Sequence, residues 1–413
     1  MNGRVDRCRE RIRSRRIIWG IIVGLALGSG AASPIRAGEP KVYLADLEAF
    51  FRTMDEKYPF FAEKGIEKEW AKAKRELAQR CSRCSDDRSF LEIVVEAMRC
   101  LRDGHMGFTE VRPKVDPPPP EFYPGIALLP AGRNGVVVMS TEPNLAATLP
   151  PGTLVTKIDG KPARKVLDRM GALSWSEGGF FSSPQRARFF AYRLPLTGER
   201  GDTHTLHYVD GRKQKKLDLV CNREVKGWDH NYNLPAGLEQ AGKSLHYGRL
   251  EGDVAYVYLR RMDEGIESGL RQAIASLAGV QGWIIDLRGN TGGGYDDGLQ
   301  SLLAQLKKPV VGIIDAGCVS AGETFARDLV RRCDARLIGE RSAGSSSSKE
   351  VFEFPSGIAK IRYSVRSRGG LDGEPIEFRG IVPHEELEAD PKDVATGKNT
   401  EIERARAIIL GAK

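Results

Sequence analysis

The chain reads as an α/β protein, and three observations predict it. Three apolar runs in the C-terminal half, Val254–Leu259, Gly282–Leu287 and Val310–Ile314, have the length and composition of buried strands. Stretches of helical period, Gly265–Leu277 and Glu323–Arg332, separate or follow them. Strands that alternate with helices imply a mostly parallel sheet covered on both faces. The third observation is length: 413 residues exceed one ordinary core. The α/β part, expected over 226–413, therefore shares the chain with other units. A composition of 41% hydrophobic and 29% charged residues is that of a globular chain.

At the N-terminus, residues 1–37 have the architecture of a signal peptide. An Arg-rich stretch precedes the apolar run Ile17–Leu27, and small residues lead to Ile35-Arg36-Ala37, a cleavage site before Gly38. The run is shorter than the roughly 20 residues of a membrane span. An exported protein, periplasmic or extracellular, is expected, with a membrane-anchored form if the segment stays attached. Eight arginines against Asp6 and Glu10 give this segment six of the eight net positive charges. The rest of the chain is almost balanced, which argues against a nucleic-acid partner.

Residues 38–120 form the next unit, read as helical over 41–115. Leu47, Phe50, Phe51 and Met54 recur at helical spacing, as do Phe90, Leu91, Val94, Val95, Met98 and Leu101. Pro117–Pro120 reads as a stiff linker. In an oxidising compartment Cys81, Cys84 and Cys100 are local candidates for a disulfide, with connectivity open. No second ligand pair suggests zinc.

Residues 121–225 change character. Gly135–Met139 reads as a strand and Leu145-Ala146-Ala147 as a short helix. Pro151 to Pro162 reads as turn, strand and turn, and Thr205–Val209 and Lys216–Val220 as later strands. This order, with Pro143-Asn144-x-Ala146-Ala147 and Ile158-Asp159-Gly160-Lys161-Pro162, resembles a PDZ domain of the bacterial protease type. The resemblance implies a site where an extended peptide docks along a sheet edge. Ser174–Thr197 looks like an insertion in that pattern.

Three stretches of the last unit carry chemistry. Asp286-Leu287-Arg288-Gly289-Asn290-Thr291-Gly292-Gly293-Gly294 takes a strand into a glycine-rich turn, where backbone N–H groups can approach a ligand. It lacks the Lys-Ser/Thr of a phosphate loop. Asp315 to Glu323 places Ser320 between a strand and a helix, where free N–H groups favour an oxyanion. A serine there is also a common helix cap. Asp372 to Pro383 reads as a turn and then a strand bearing a carboxylate.

In order, and with Gly339-Glu340-Arg341-Ser342-Ala343-Gly344 between the last two, these stretches resemble the C-terminal processing (tail-specific) serine peptidases. The resemblance spans about 250–385. It implies a crotonase-like α/β core preceded by helical and PDZ units. It also implies Ser320 as nucleophile, an oxyanion hole at the N–H groups of Gly293 and Ala321, and no cofactor or metal. Substrates would be proteins or peptides.

One departure is informative. Many members pair the serine with a lysine directly after the glycine that Gly344 matches; Ser345 stands there instead. Lys349, four residues on, is a poor substitute. A serine needs a base to be nucleophilic at neutral pH. The family's other branch supplies a histidine in a pattern like Leu-x-Asp-x-His, present here as Leu101-Arg102-Asp103-Gly104-His105. The resemblance thus implies His105 as base and Glu377 as its orienter, with Glu374 as the alternative. The rival expectation is a non-catalytic peptide- or ligand-binding protein on the same fold.

Overall fold

The computed structural model describes residues 40–112, 120–132, 135–225, 232–294, 299, 302 and 304–411. The segment read as a signal peptide and most of the proline linker lie outside the described residues.

The apolar runs form the centre of a seven-stranded sheet. Its order is Glu239–Ala241, Leu245–Leu250, Val254–Leu259, Gly282–Asp286, Val310–Ile314, Arg336–Gly339 and Glu385–Glu386. The first two pairings are antiparallel and the other four parallel. Val254–Leu259, Gly282–Asp286 and Val310–Ile314 are buried throughout, as strands covered on both faces must be. Their side chains divide with period two. Ala255, Val257, Trp283 and Ile285 pack with Leu270, Phe325 and Leu329 of the helices Ile266–Ser276 and Ala321–Cys333. Tyr256, Ile284, Val311 and Ile313 pack with Ile402, Ala405 and Ile409 of the helix Thr400–Ile409.

The N-terminal stripes fold as the helices Pro40–Lys57, Glu67–Cys81 and Asp87–Cys100, with a short turn of helix at Phe61–Lys64. Asp86 starts the third long helix, its Oδ1 accepting from the Ser89 N–H at 2.8 Å. Helix does not continue to 115. It ends at Cys100, where the apolar stripe ends, and Gly107–Val111 is a strand. That strand pairs antiparallel with Ala359–Ser367, which pairs with Ser347–Glu353. Phe50, Phe90, Phe352 and Phe354 meet ring to ring, so the helices and this small sheet share one core. The loop 101–106 is thereby held between a helix end and a strand.

Residues 126–220 build a separate β-rich core. Its strands run Ile126–Ala131, Gly135–Thr141, Leu154–Ile158, Thr203–Asp210 and Lys213–Val220 in sheet order. The stretch read as an insertion contains the helix Pro184–Arg193, packed on the helix Ala163–Ser176. Gly171 allows the contact, since a Cβ there would lie 2.6 Å from Arg188 Cα. Ser183 caps the second helix, its Oγ accepting from the Arg186 N–H at 3.2 Å. The same hydroxyl donates to Ala343 O in the α/β unit. The six described cysteines of the chain are free thiols.

Candidate active site

Ser320 closes the turn between Val310–Ile314 and the helix Ala321–Cys333. Its backbone has φ 55° and ψ −119°, outside the conformation of an ordinary cap and costly for a residue with a side chain. Two bonds from its N–H hold it there, to Ser345 O at 2.8 Å and to Glu323 Oε2 at 3.1 Å. The glycine turn lies against it. A Cβ on Gly292 would be 2.7 Å from Ser320 Cβ and 3.3 Å from Ala321 N. Gly293, at φ 141°, sits so close to Met262 that a Cβ would fall 2.1 Å from its carbonyl oxygen, so only glycine fits. Among the described residues neither the Gly293 nor the Ala321 N–H donates to any acceptor. Asp315 joins the two turns, its Oδ1 accepting from the N–H groups of Gly289 and Gly317 at 2.9 Å each.

Glu323 organises the floor of the site. It is fully buried. Besides the Ser320 N–H it accepts from Ser342 Oγ at 2.6 Å, Gly344 N at 2.7 Å and Ser345 N at 3.0 Å. Burial pushes its carboxyl up to about 7 against the pull of these donors.

His105 lies in the tight loop that its glycines predicted. Its N–H donates to Asp103 Oδ1 at 2.8 Å, and its carbonyl accepts from Arg362 Nε at 3.1 Å. Its Nδ1 is 3.3 Å from Ser345 Oγ, the residue standing where the family's lysine would be. Ser182 Oγ, from the stretch read as an insertion, donates to the same Ser345 oxygen at 3.0 Å. Burial brings the imidazole down to about 3, with the Lys349 ammonium next in effect and the Asp103 carboxylate opposing. The ring is therefore neutral at ordinary pH, as a proton acceptor must be.

Glu377 is fully buried. It sits in irregular chain rather than in the strand expected there, because Phe378 (φ 69°) and Gly380 (φ 73°) turn the backbone. The Phe378 N–H donates to Gly344 O at 2.8 Å, which docks the turn on the site. Glu377 Oε1 accepts from Lys64 Nζ at 3.0 Å, while Oε2 is buried and makes no hydrogen bond among the described residues, with the Ser182 hydroxyl near enough to draw the carboxyl down. Burial raises the carboxyl to about 7, with the Lys64 ammonium opposing and Asp103 adding to the rise.

The structure thus brings Ser320, Gly293 and Ala321 together. It joins His105 to Ser345 and Glu377 to Lys64; no hydrogen bond links His105 to Ser320 or to Glu377. Glu374 is exposed and pairs with Arg379 at 3.1 Å. Lys349 is exposed on the strand Ser347–Glu353. Lys64 and Ser182 were not singled out by the sequence, and nothing local marks them: their partners lie 313 and 163 positions away. Ser345 was legible only as a missing lysine. Among the described residues no group of three His, Cys, Asp or Glu side chains could hold a metal ion.

Comparison with known proteins gives concordant results. The carboxy-terminal processing protease CtpA of Bacillus subtilis (strain 168) is 25% identical over 248 residues, which are 50% of this chain and 52% of that protein. The chloroplastic carboxyl-terminal-processing peptidase 2 of Arabidopsis thaliana is 24% identical over 175 residues, 34% of this chain and 33% of that protein. The chain therefore spans about half or less of the curated relatives it matches. Among solved structures, mature CPAF superposes with a TM-score of 0.63 at 13% identity, covering 90% of this chain and 98% of that one. Mature CPAF complexed with lactacystin gives 0.62, again at 13% identity, with coverage of 90% and 99%. At that identity the likeness is one of fold. The model of peptidase family S41 matches residues 253–308 and 295–387, the stretch that holds Ser320, the glycine turn and Glu377. Over that stretch, about a third of its length, the chain is similar to peptidase family S41.

Proposed function

We propose that the chain is an exported serine endopeptidase that cleaves protein or peptide substrates through an acyl-enzyme at Ser320. The observation that carries the reading is the strained Ser320 beside two amides that donate to no acceptor among the described residues. Strain of this kind persists only where the surroundings enforce it, and it clusters at reactive serines. In this reading Ser320 Oγ attacks the scissile carbonyl, and the Gly293 and Ala321 N–H groups receive the oxyanion. His105 takes the serine proton through Nε2 and returns it to the leaving amine. Ser345 Oγ has two lone pairs. One accepts from Ser182, and the other can accept the Nδ1–H of His105, the tautomer that leaves Nε2 open. Glu377, with one buried oxygen that makes no hydrogen bond among the described residues, supplies the charge that orients and steadies the imidazolium. Water then releases the acyl group, and no cofactor takes part.

The α/β unit is read as a crotonase-like core. The β-rich unit over 121–225 is read as a PDZ-like module that docks peptide, with residues 1–37 directing export and being removed there.

A fluorophosphonate probe tests the reading. The mature chain is expected to be labelled at Ser320 and to degrade an unfolded protein, and Ser320→Ala to do neither. A folded wild-type chain that takes no label and degrades nothing would favour the second reading, a peptide-binding protein. The absence of a Ser320–His105 hydrogen bond in the structure is the observation on that side.

A further inference from the structure

We propose that Lys64 is a positioning residue of the active site, whose ammonium fixes Glu377 in the frame of the loop that carries His105. The inference rests on the peptidase reading above. Lys64 and Glu377 are 313 positions apart, yet both side chains are wholly buried against each other. An ammonium has three protons to donate, and three acceptors surround this one. They are Tyr58 Oη at 2.9 Å, Arg102 O at 2.8 Å and Glu377 Oε1 at 3.0 Å.

Two of the three belong to the helical layer and are themselves held. Tyr58 Oη donates to Leu101 O at 2.8 Å. The Arg102 guanidinium binds Glu69 and the Ser176 carbonyl and lies 5.0 Å from the centre of the Trp175 ring. The rings of Tyr58 and Phe60 flank the ammonium at 5.5 and 5.4 Å. Leu101 and Arg102 lead directly into Asp103, Gly104 and His105. One cation therefore meets both the backbone that aims the imidazole and the carboxylate that must face it. A buried ion pair contributes little net stability over an apolar pair. A saturated, three-point ammonium between two parts of a site fits a geometric role.

Charge acts in the same direction. Glu377 feels Lys64 and Asp103 most strongly among charged groups, and its own charge reaches Lys349 and Glu323. Burial already lifts its carboxyl. Without the ammonium the carboxyl must titrate higher still, so at neutral pH less of it is ionised.

The test is steady-state hydrolysis of one peptide substrate across pH, by wild type, Lys64→Met, Glu377→Gln and the double variant, with Ser320→Ala and His105→Ala as references. Lys64→Met is expected to lower kcat about tenfold or more with KM within about threefold, and to move the acid limb of kcat upward. If Lys64 acts through Glu377, the double variant stays within about threefold of Glu377→Gln alone. The double variant removes both buried charges, so this comparison holds even if Lys64→Met fails to fold. A folded Lys64→Met with normal kcat and an unmoved acid limb would overturn the proposal while Ser320→Ala and His105→Ala stay inactive. A double variant tenfold worse than Glu377→Gln would overturn it too. Normal turnover by Ser320→Ala would instead remove the peptidase reading, and the proposal with it.

Discussion

At the scale of single residues, His105 shows how surroundings set a proton. The half-buried ring is held toward its neutral form first by desolvation and then by the cations of Lys349, Arg362 and Lys64, with Asp103 opposing. Its folded value, about 3, lies below the ordinary 6.5. The unfolded chain therefore binds this proton more readily than the native one does. Stability from this group is fully present above pH 6.5 and is lost as pH falls toward 3. Urea midpoints measured across that window should drop with acidification, and His105→Phe should flatten the drop. An equal slope in both proteins would show that His105 is not held neutral. Lys349→Ala serves as the companion. It removes one cation near His105 but no hydrogen bond, so turnover at neutral pH should stay within about threefold of wild type. A loss comparable with Ser320→Ala would make Lys349 the base. The turns that carry Ser320, Ala321 and Gly293 were legible in the sequence because a turn after a strand is local; the roles proposed for them came from the resemblance. Lys64 was not legible, and Ser345 only as a missing lysine, because their partners come from remote chain.

Elements carry the next level of control, and the helix Pro184–Arg193 is the instructive one. Its N-terminal end reaches the site from the β-rich unit. Gln185 Nε2 donates toward Ser342 O at 3.3 Å, Phe378 O at 3.1 Å and Arg379 O at 3.2 Å. One amide thus ties the segment under Ser345 to the turn that bears Glu377. Gln185→Ala should cost about 1 kcal/mol of stability, the usual worth of such a bond. It should also reduce kcat more than KM, since the turn is freed and no substrate pocket is removed. A variant with lower stability and unchanged kcat would confine Gln185 to a structural role. The sequence marked this stretch as an insertion but gave no sign of its contacts. The apolar strands were legible from composition alone, since parallel strands are buried on both faces. The strand Gly107–Val111 was not: its pairing partner, Ala359–Ser367, lies some 250 positions on, and short-range periodicity is blind to it.

For the whole molecule, the site belongs to no single unit. Ser320, the glycine turn and Glu377 come from the α/β part, His105 and Lys64 from the helical layer, and Ser182 from the stretch of the β-rich part read as an insertion. The cores are shared in the same way. Phe354, Ile358, Ile361 and Tyr363 are buried only within the cluster built by the N-terminal helices. A fragment of residues 226–413 would keep the proposed nucleophile and both proposed oxyanion donors. It would lose the proposed base, leave Glu377 buried without its ammonium, and expose those four side chains. Each fully buried side chain of that size accounts for about 1.5–3 kcal/mol relative to exposure, so the loss is comparable with the whole stability of a marginally stable domain. The fragment is expected to bind a hydrophobic dye, to melt without cooperativity, and to remain unlabelled by fluorophosphonate at concentrations that label a chain of residues 38–413. Supplying residues 38–225 as a second polypeptide should restore some labelling, because the missing contacts are non-covalent. If the fragment alone is labelled as fast as the whole chain, Ser320 is activated by something within 226–413. The helical layer would then have no part in the chemistry.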